Sequence, residues 1–314
     1  MVTSNSSIMK KTSKPIVFFG SGPVAAESLE LLNNYCSIEA VITKPRADHH
    51  KGDVPVLRVA ETLGLHVHTV SNKKELDDLC AQTTFKSTVG VLIDFGIIVS
   101  QAVIDHFPLG IVNSHFSVLP EWRGADPITF SILSGQRVTG VSLMLLVEKM
   151  DEGPLLAYGE YELPPDITTP VLTQELIKLS DALLYDTLQR YQNGELQAGA
   201  PQSLTKRVVS YSRKLSKEDS IIDWHKPAVD IEREIRAFIE WPKSRTILGG
   251  KEVVVTKSHV IDTTGRPGSV AVIDKQLVVY CGEAALALDM LKPAGKQEMT
   301  GRAFLAGYRN TLAL

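Results

Sequence analysis

An alternation that begins at Ile16 constrains the fold more than any other feature. Ile16-Val17-Phe18-Phe19 is a short apolar run, Gly20-Ser21-Gly22-Pro23 a tight turn, and the next residues place Val24, Ala25, Leu29 and Leu32 at helical spacing. The pattern then repeats. Glu39 to Thr43, Val67 to Val70 and Thr88 to Ile93 read as strands, with Val56 to Gly64 and Lys73 to Ala81 as helices between them. Strands with few polar positions are buried on both faces, so the expectation is an α/β fold with a parallel sheet covered by helices. Ile111-Val112-Asn113 is a further strand, followed by a loop to Asp126 and a helix from Pro127 to Leu133. Val141 to Leu146 is another strand, Asp151-Glu152-Gly153-Pro154 a turn, and Thr173 to Gln192 a long amphipathic helix.

The chain has 314 residues, enough for about two domains. Gly194 to Lys206, rich in Gly, Pro, Gln and Ser, reads as a linker. Beyond Trp224 come a helix, Ala228 to Phe238, and short runs at Val253 to Thr256, Ser269 to Ile273, Gln276 to Tyr280 and Ala285 to Leu291, which suggest a small β-barrel. The expected division is a disordered extension over 1–15, a first domain over 16–193, a linker over 194–210 and a second domain over 211–314. The extension holds Lys but no Arg, which makes it a poor transit peptide. No apolar run nears the roughly 18 residues of a membrane span, and Ile16 to Phe19 is too short for a signal-peptide core, so no membrane partner is expected. Cys36, Cys80 and Cys281 lie far apart with no CxxC, which signals neither a disulfide framework nor a zinc site. A cytoplasmic protein without a metal is the reading that fits.

Net charge is −3, but it is unevenly spread: residues 1–205 carry −8 and residues 206–314 carry +5. A basic second module could grip a polyanion while the acidic first module does something else. An ordinary compositional difference explains the same numbers.

Three places carry residues suited to chemistry. Gly20-Ser21-Gly22-Pro23-Val24-Ala25 fits G-x-G-x-x-A between strand and helix, the context of a dinucleotide fingerprint. The acidic residue that should end the second strand is missing; Ile42-Thr43-Lys44 stands there, so only an NADP variant using Lys44 or Arg46 is open. Asn113-Ser114-His115 sets an amide and an imidazole two residues apart at the carboxyl end of a buried strand, where open α/β sheets bind ligands. Asn donates to a developing oxyanion, His changes charge near neutral pH, and Asp151 is a carboxylate that could orient or charge the ring. The plain alternatives are a structural histidine and an ordinary turn sequence.

With these residues in view, the chain resembles the folate-dependent formyltransferases. Asn113-x-His115, the run Ser117-Val118-Leu119-Pro120-x-x-Arg123-Gly124 and Asp151 are similar to the signature shared by enzymes that formylate glycinamide ribonucleotide, amino sugar nucleotides and charged tRNA. The second domain resembles the tRNA-formylating branch at Lys214-Leu215-Ser216-Lys217-Glu218-Asp219, Ile222-Asp223-Trp224, Arg236-Ala237-Phe238, Trp241-Pro242 and Leu291-Lys292-Pro293-Ala294-Gly295-Lys296. The resemblance runs from Ile16 to the C-terminus.

It implies a Rossmann-like formyltransferase domain followed by an OB-like β-barrel that contacts tRNA, acting as a monomer. It also implies transfer of the formyl group of 10-formyltetrahydrofolate to the amine of methionine on initiator methionyl-tRNA, with the folate as cosubstrate. Asn113 and protonated His115 would stabilise the oxyanion, and Asp151 would stabilise the imidazolium and take the amine proton directly or through a water. Ser117, Val118, Leu119 and Pro120, with Phe95 and Gly96, would line the pterin slot. The alternatives are an amino sugar nucleotide formyltransferase and a catalytically degenerate RNA-binding module, with an NADP-dependent oxidoreductase as outsider. Phe116 stands where the family has Gly, and Asp94-Phe95-Gly96 where it has Ala-Tyr-Gly, which predicts an altered pocket shape. The loop Lys44 to Asp53 is shorter than the family's acceptor-stem loop and lacks its Gly-Arg-Gly-Lys core, leaving Arg46 and Lys51 to take its place. His49-His50 has no accompanying metal-ligand cluster. Arg207, Arg213, Lys214 and Lys217 form a basic stretch at the entry to the second domain, suited to phosphate contacts.

Overall fold

The computed structural model describes residues 14–46, 54–197 and 199–312. In chain order the elements are β1 (Ile16–Phe19), α1 (Pro23–Asn33), β2 (Ile38–Thr43), α2 (Pro55–Thr62), β3 (Val67–Thr69), α3 (Lys73–Gln82), β4 (Gly90–Leu92), α4 (Gln101–Asp105), β5 (Ile111–His115), β6 (Arg123–Gly124), α5 (Pro127–Leu133), β7 (Val138–Leu145), β8 (Leu155–Glu162) and α6 (Thr169–Gln192). The remainder are β9 (Tyr211–Ser212), α7 (Ala228–Ala237), β10 (Ser244–Leu248), β11 (Lys251–Ile261), β12 (Val270–Ile273), β13 (Gln276–Tyr280), β14 (Ala285–Pro293), β15 (Met299–Thr300) and α8 (Gly301–Tyr308). They cluster into two compact units that interleave in sequence. One holds the chain up to Gly124, Gly140–Tyr161 and Thr173–Tyr211; the other holds Ala125–Thr139, Glu162–Leu172 and the chain from Ser212.

The first unit is built on a seven-stranded sheet of order β3-β2-β1-β4-β5-β7-β8. Strands β1 to β5 pair in parallel. All four residues of β1 are fully buried, as a strand covered on both faces requires, and Val17 and Phe19 pack with Ala40, Ile42, Phe107 and Ile111. Pro23 opens α1 and Pro55 opens α2, where the missing N–H is no loss. Asn72 caps α3 by accepting from Glu75 N at 3.0 Å. The parallel sheet expected from the sequence gains an antiparallel edge, where β7 runs against β5 with Asn113 opposite Met144 and His115 opposite Ser142. Strand β8 falls where periodicity indicates no element. Its first two residues are buried and the rest alternate half-buried with exposed, the polar pattern of a half-covered edge strand.

The second unit carries an antiparallel sheet of order β10-β11-β14-β13-β12, with β15 on β14. The pairs found among the described residues form an open path rather than a closed ring. Helix α7 is amphipathic and buries Ile231 and Ile235 among Val253, Val255, Leu286 and Leu288. The stretches 125–139 and 162–172 cluster here because α5 packs on α7, and because Arg236 Nη1 donates to Ile167 O at 2.7 Å and Thr169 Oγ1 to Ala237 O at 2.7 Å. Helix α8 has no counterpart among the elements read from the sequence; glycines at its start and near its end hide its helical signal, while Thr300 caps it by accepting from Ala303 N at 3.1 Å.

Candidate active site

Strand β5 extends three residues beyond its apolar Ile111-Val112, so Asn113 and His115 share one face and Ser114 takes the other. Ser114 Oγ meets Ser180 Oγ of α6 at 2.7 Å, which anchors the strand end from behind. Asn113 is 7% exposed, and its side-chain amide has no hydrogen-bond partner among the described residues. Buried amides are normally paired, so an unengaged one on this face is open to a hydrogen bond from outside the protein.

His115 is 6% exposed. Its Nε2–H donates to Trp122 O at 2.9 Å, and its Nδ1 lies 3.8 Å from Asp151 Oδ2. The Trp122 carbonyl therefore keeps a proton on Nε2 and turns Nδ1 toward the carboxylate. The Nε2–H is engaged by Trp122 O, which leaves the expected donation by a protonated His115 to its Nδ1–H, while the amide of Asn113 is a second, unengaged donor. Trp122 reaches its place through a left-handed backbone, φ +54°. Asp151 also has a left-handed backbone, φ +52°, and its Oδ2 accepts from Gly124 N at 2.7 Å. Asn113, His115 and Asp151 thus come together from β5 and from the turn after β7.

The loop between His115 and Arg123 is built as a buried brace. Ser117, Val118 and Leu119 have no exposed surface. Ser142 Oγ donates to Ser117 O at 2.8 Å and accepts from Leu119 N at 2.9 Å. The side chains of these three residues therefore do not form the surface of a slot, as expected of them; they are enclosed and tied to Ser142. Pro120 does reach a cleft of about 500 Å³ that Arg123, Glu152, Gln202 and Arg207 also line. Phe116 is buried.

Phe95 is corrected likewise. It is 2% exposed and packs edge-on against Phe19 at 5.7 Å, inside the core of the sheet. Gly96 is exposed, with φ +65°, and a Cβ there would come 2.9 Å from Lys44 Nζ. The glycine turn after β1 is also resolved: Ser21 N and Gly22 N both donate to Asp94 O, at 3.0 and 3.3 Å, and a Cβ on Gly22 would overlap the Asp94 carboxylate. Amides that should cradle a pyrophosphate are engaged, and a negative charge sits beside them, which argues against a dinucleotide.

Of the cations, Arg46 is exposed and Lys51, like His49 and His50, lies outside the described residues. Arg207 is paired, its Nη2 with Glu160 at 2.8 Å and its Nη1 with Glu121 at 3.7 Å. Burial raises the Glu121 carboxyl above its ordinary range, against the pull of Arg207. Arg213 is bidentate on Asp219, with Nη1 at 2.8 Å from Oδ2. This hydrogen-bonded guanidinium holds the Asp219 carboxyl well below the usual range. Lys214 and Lys217 are exposed and make no ion pair among the described residues. Burial pushes the thiols of Cys80 and Cys281 up to about 11, which makes both inert.

Sequence reasoning offers no signal for Gln202 or Ser210, which lie in the segment that reads as a linker. Ser210 Oγ accepts from Trp122 N at 2.9 Å, and Ser210 O accepts from Arg123 N at 3.0 Å. The amide of Gln202 contacts both Arg123 and the Asp151 turn.

Two family profiles match the chain: one described as Formyl transferase over residues 16–188, and one described as Formyl transferase, C-terminal domain, over residues 214–309. A methionyl-tRNA formyltransferase of Magnetococcus marinus is 32% identical over 299 residues, covering 93% of this chain and 95% of the relative. Among solved structures, the N-formyltransferase from Helicobacter canadensis, in complex with folinic acid and dTDP-3-aminofucose, superposes with a TM-score of 0.65 at 19% identity, covering 88% of this chain and 98% of that one. HypX from Aquifex aeolicus, in complex with tetrahydrofolic acid, gives 0.61 at 15% identity over 98% of this chain; the chain spans about half the length of HypX, 48%. At these identities the two structures speak for the fold.

Proposed function

This chain belongs to the formyl transferase family, and from that premise we infer that it moves the formyl group of 10-formyltetrahydrofolate to the amine of methionine on initiator methionyl-tRNA. The observation that carries the choice of acceptor is the relative from Magnetococcus marinus, whose similarity runs through both domains rather than the transfer domain alone. The product is N-formylmethionyl-tRNA, the start of translation, and the folate is consumed rather than retained.

The chemistry follows from the geometry around β5. A neutral amine attacking a formyl carbon yields an oxyanion and an ammonium, so one charge must be stabilised and the other removed. The unengaged amide of Asn113 is placed to donate to the oxyanion. Asp151, held by Gly124 N, takes the amine proton directly or through a water, and His115 Nδ1 beside it shares that proton and the resulting charge. Collapse of the intermediate then breaks the bond from the formyl carbon to the folate nitrogen, which leaves with a proton. The exposed turn at Asp94 and Gly96 and the free amide of Asn113 flank the carboxyl ends of β4 and β5, a crevice suited to a flat ring.

The region 16–193 serves as the transfer domain and 211–314 as the tRNA-binding, OB-like domain, in a cytoplasmic monomer. No helix among the described residues is long and apolar enough to cross a membrane. Arg46, Lys51, Arg207, Lys214 and Lys217 are the phosphate contacts, with Lys214 and Lys217 the most available of those described; Arg213 acts first as the partner of Asp219. The test is a formylation assay with 10-formyltetrahydrofolate and charged initiator tRNA, run beside elongator methionyl-tRNA and an amino sugar nucleotide. Product on the initiator tRNA alone is expected; formylation of the sugar, or of nothing, overturns the reading.

A further inference from the structure

Gln202 follows Pro201 and opens a short 3-10 turn, Gln202–Thr205, in a stretch with no catalytic signature. It is 7% exposed and uses every hydrogen-bonding capacity of its side chain. Nε2 donates to Asp151 O at 2.7 Å and to Gly153 O at 2.9 Å. Oε1 accepts from Arg123 Nη2 at 2.7 Å and from Arg123 Nε at 3.2 Å. The amide has one orientation only, since the reverse would set its NH2 against a guanidinium and its oxygen against two carbonyls.

These contacts close a ring. Asp151 Oδ2 accepts from Gly124 N, the residue after Arg123, while Asp151 O is held by the amide that also grips the Arg123 side chain. The carboxylate is thereby tied at its side chain and at its main chain. Left-handed backbone at Asp151 makes the second tie necessary, because a non-glycine residue at φ +52° relaxes when its carbonyl is released. The same segment supports the loop on the other side of the ring, with Thr205 Oγ1 donating to Leu119 O at 2.8 Å and Ser210 N to Pro120 O at 3.2 Å.

We propose that Gln202 is a positioning residue for formyl transfer: its amide clamps the main chain of the Asp151 turn to Arg123, which keeps the Asp151 carboxylate aligned on Nδ1 of His115. This rests on the transferase reading above. The carboxylate moves protons, so a displacement of about 1 Å at this point lowers the rate by up to about 100-fold. The donors to the two carbonyls are the working part; the acceptor for Arg123 orients them.

Two variants separate these parts. Gln202→Glu keeps the acceptor and loses both N–H donors, and Gln202→Met loses all four bonds at similar volume. At neutral pH both are expected to lower kcat by about 10- to 100-fold, with KM for both substrates within about threefold. As pH falls, protonation of the introduced carboxylate restores one O–H donor, so the kcat of Gln202→Glu relative to wild type rises while that of Gln202→Met stays level. A glutamine with a merely structural role would lower the Tm of both variants without that recovery. Wild-type kcat in either folded variant, or a level ratio in both, overturns the proposal. Hydrogen exchange at the Gly124 amide, read without substrate, is expected to quicken by about tenfold or more in both variants as its acceptor moves. If the wild-type chain formylates no tRNA, the functional reading falls and the exchange rate alone decides the clamp, with unchanged exchange counting against it.

Discussion

Asp151 and Asp219 are both little-exposed carboxylates, 12% and 16%, that accept a backbone N–H at 2.7 Å, from Gly124 and from Ser216 respectively. Their remaining neighbours differ. Asp219 faces the guanidinium of Arg213, whose charge never changes, and the pair with Ser216 forms a fixed turn at the entry to the second unit. Asp151 faces the imidazole of His115 at 3.8 Å, on the strand face that also carries the unengaged amide of Asn113. A carboxylate bound to a permanent cation is a structural cap; one that faces an imidazole is, on the function proposed above, the base. The contrast explains why equally well-ordered acids should answer differently to mutation.

The largest effect that would sharpen the contrast is expected from Asp151→Asn. The amide can still accept from Gly124 N, so the fold should stand, while loss of the base lowers kcat by about 10²–10⁴. A rate within a few-fold of wild type in single-turnover assays would place the base elsewhere. Next comes Asn113→Ala, which removes the free donor and should lower kcat by about 10²–10³ with little change in Tm. A wild-type turnover number there would return the oxyanion to His115.

Smaller effects belong to the second unit. Replacing both Lys214 and Lys217 by Ala should leave kcat intact and reduce the slope of log tRNA affinity against log salt by about 1.4–1.8, from about 0.7–0.9 per phosphate contact. An unchanged slope in a filter-binding titration would remove both residues from the interface. The smallest effect is on stability. The Asp219 carboxyl is depressed in the folded chain, so its stabilisation is complete above its ordinary pKa near 4 and disappears as pH falls through the lowered native value. Arg213 is 60% exposed, so solvent screening keeps the contribution to less than about 1 kcal/mol. Urea unfolding should therefore show Asp219→Asn slightly less stable than wild type at pH 6 and converging with it toward pH 2. A constant difference across that range would break the parallel between the two acids.

The parts legible in the sequence are local ones. Strand β1, helix α5 from Pro127 to Leu133 and strand β13 from Gln276 to Tyr280 fall on the residues that periodicity and proline placement indicate. The pairing of Asn113 with His115 is legible for the same reason, since alternate residues of a strand share a face. Strand β8 is not, because its polar alternation after a turn resembles a loop. Nor is the interior role of Phe95 and of Ser117 to Leu119, because a motif position does not say which way a side chain packs.

What the sequence determined by itself was the alternation that builds a parallel sheet, the strand end that carries Asn113 and His115, and the family the chain belongs to. These rest on spacings of a few residues, where backbone geometry fixes direction. Tertiary structure alone decided that the Trp122 carbonyl keeps a proton on His115 Nε2, that Asp94 occupies the glycine turn, and that Gln202 grips the Asp151 turn from 51 residues away. Hydrogen bonds between distant segments are set by how the sheet and its loops pack, and no local periodicity records them.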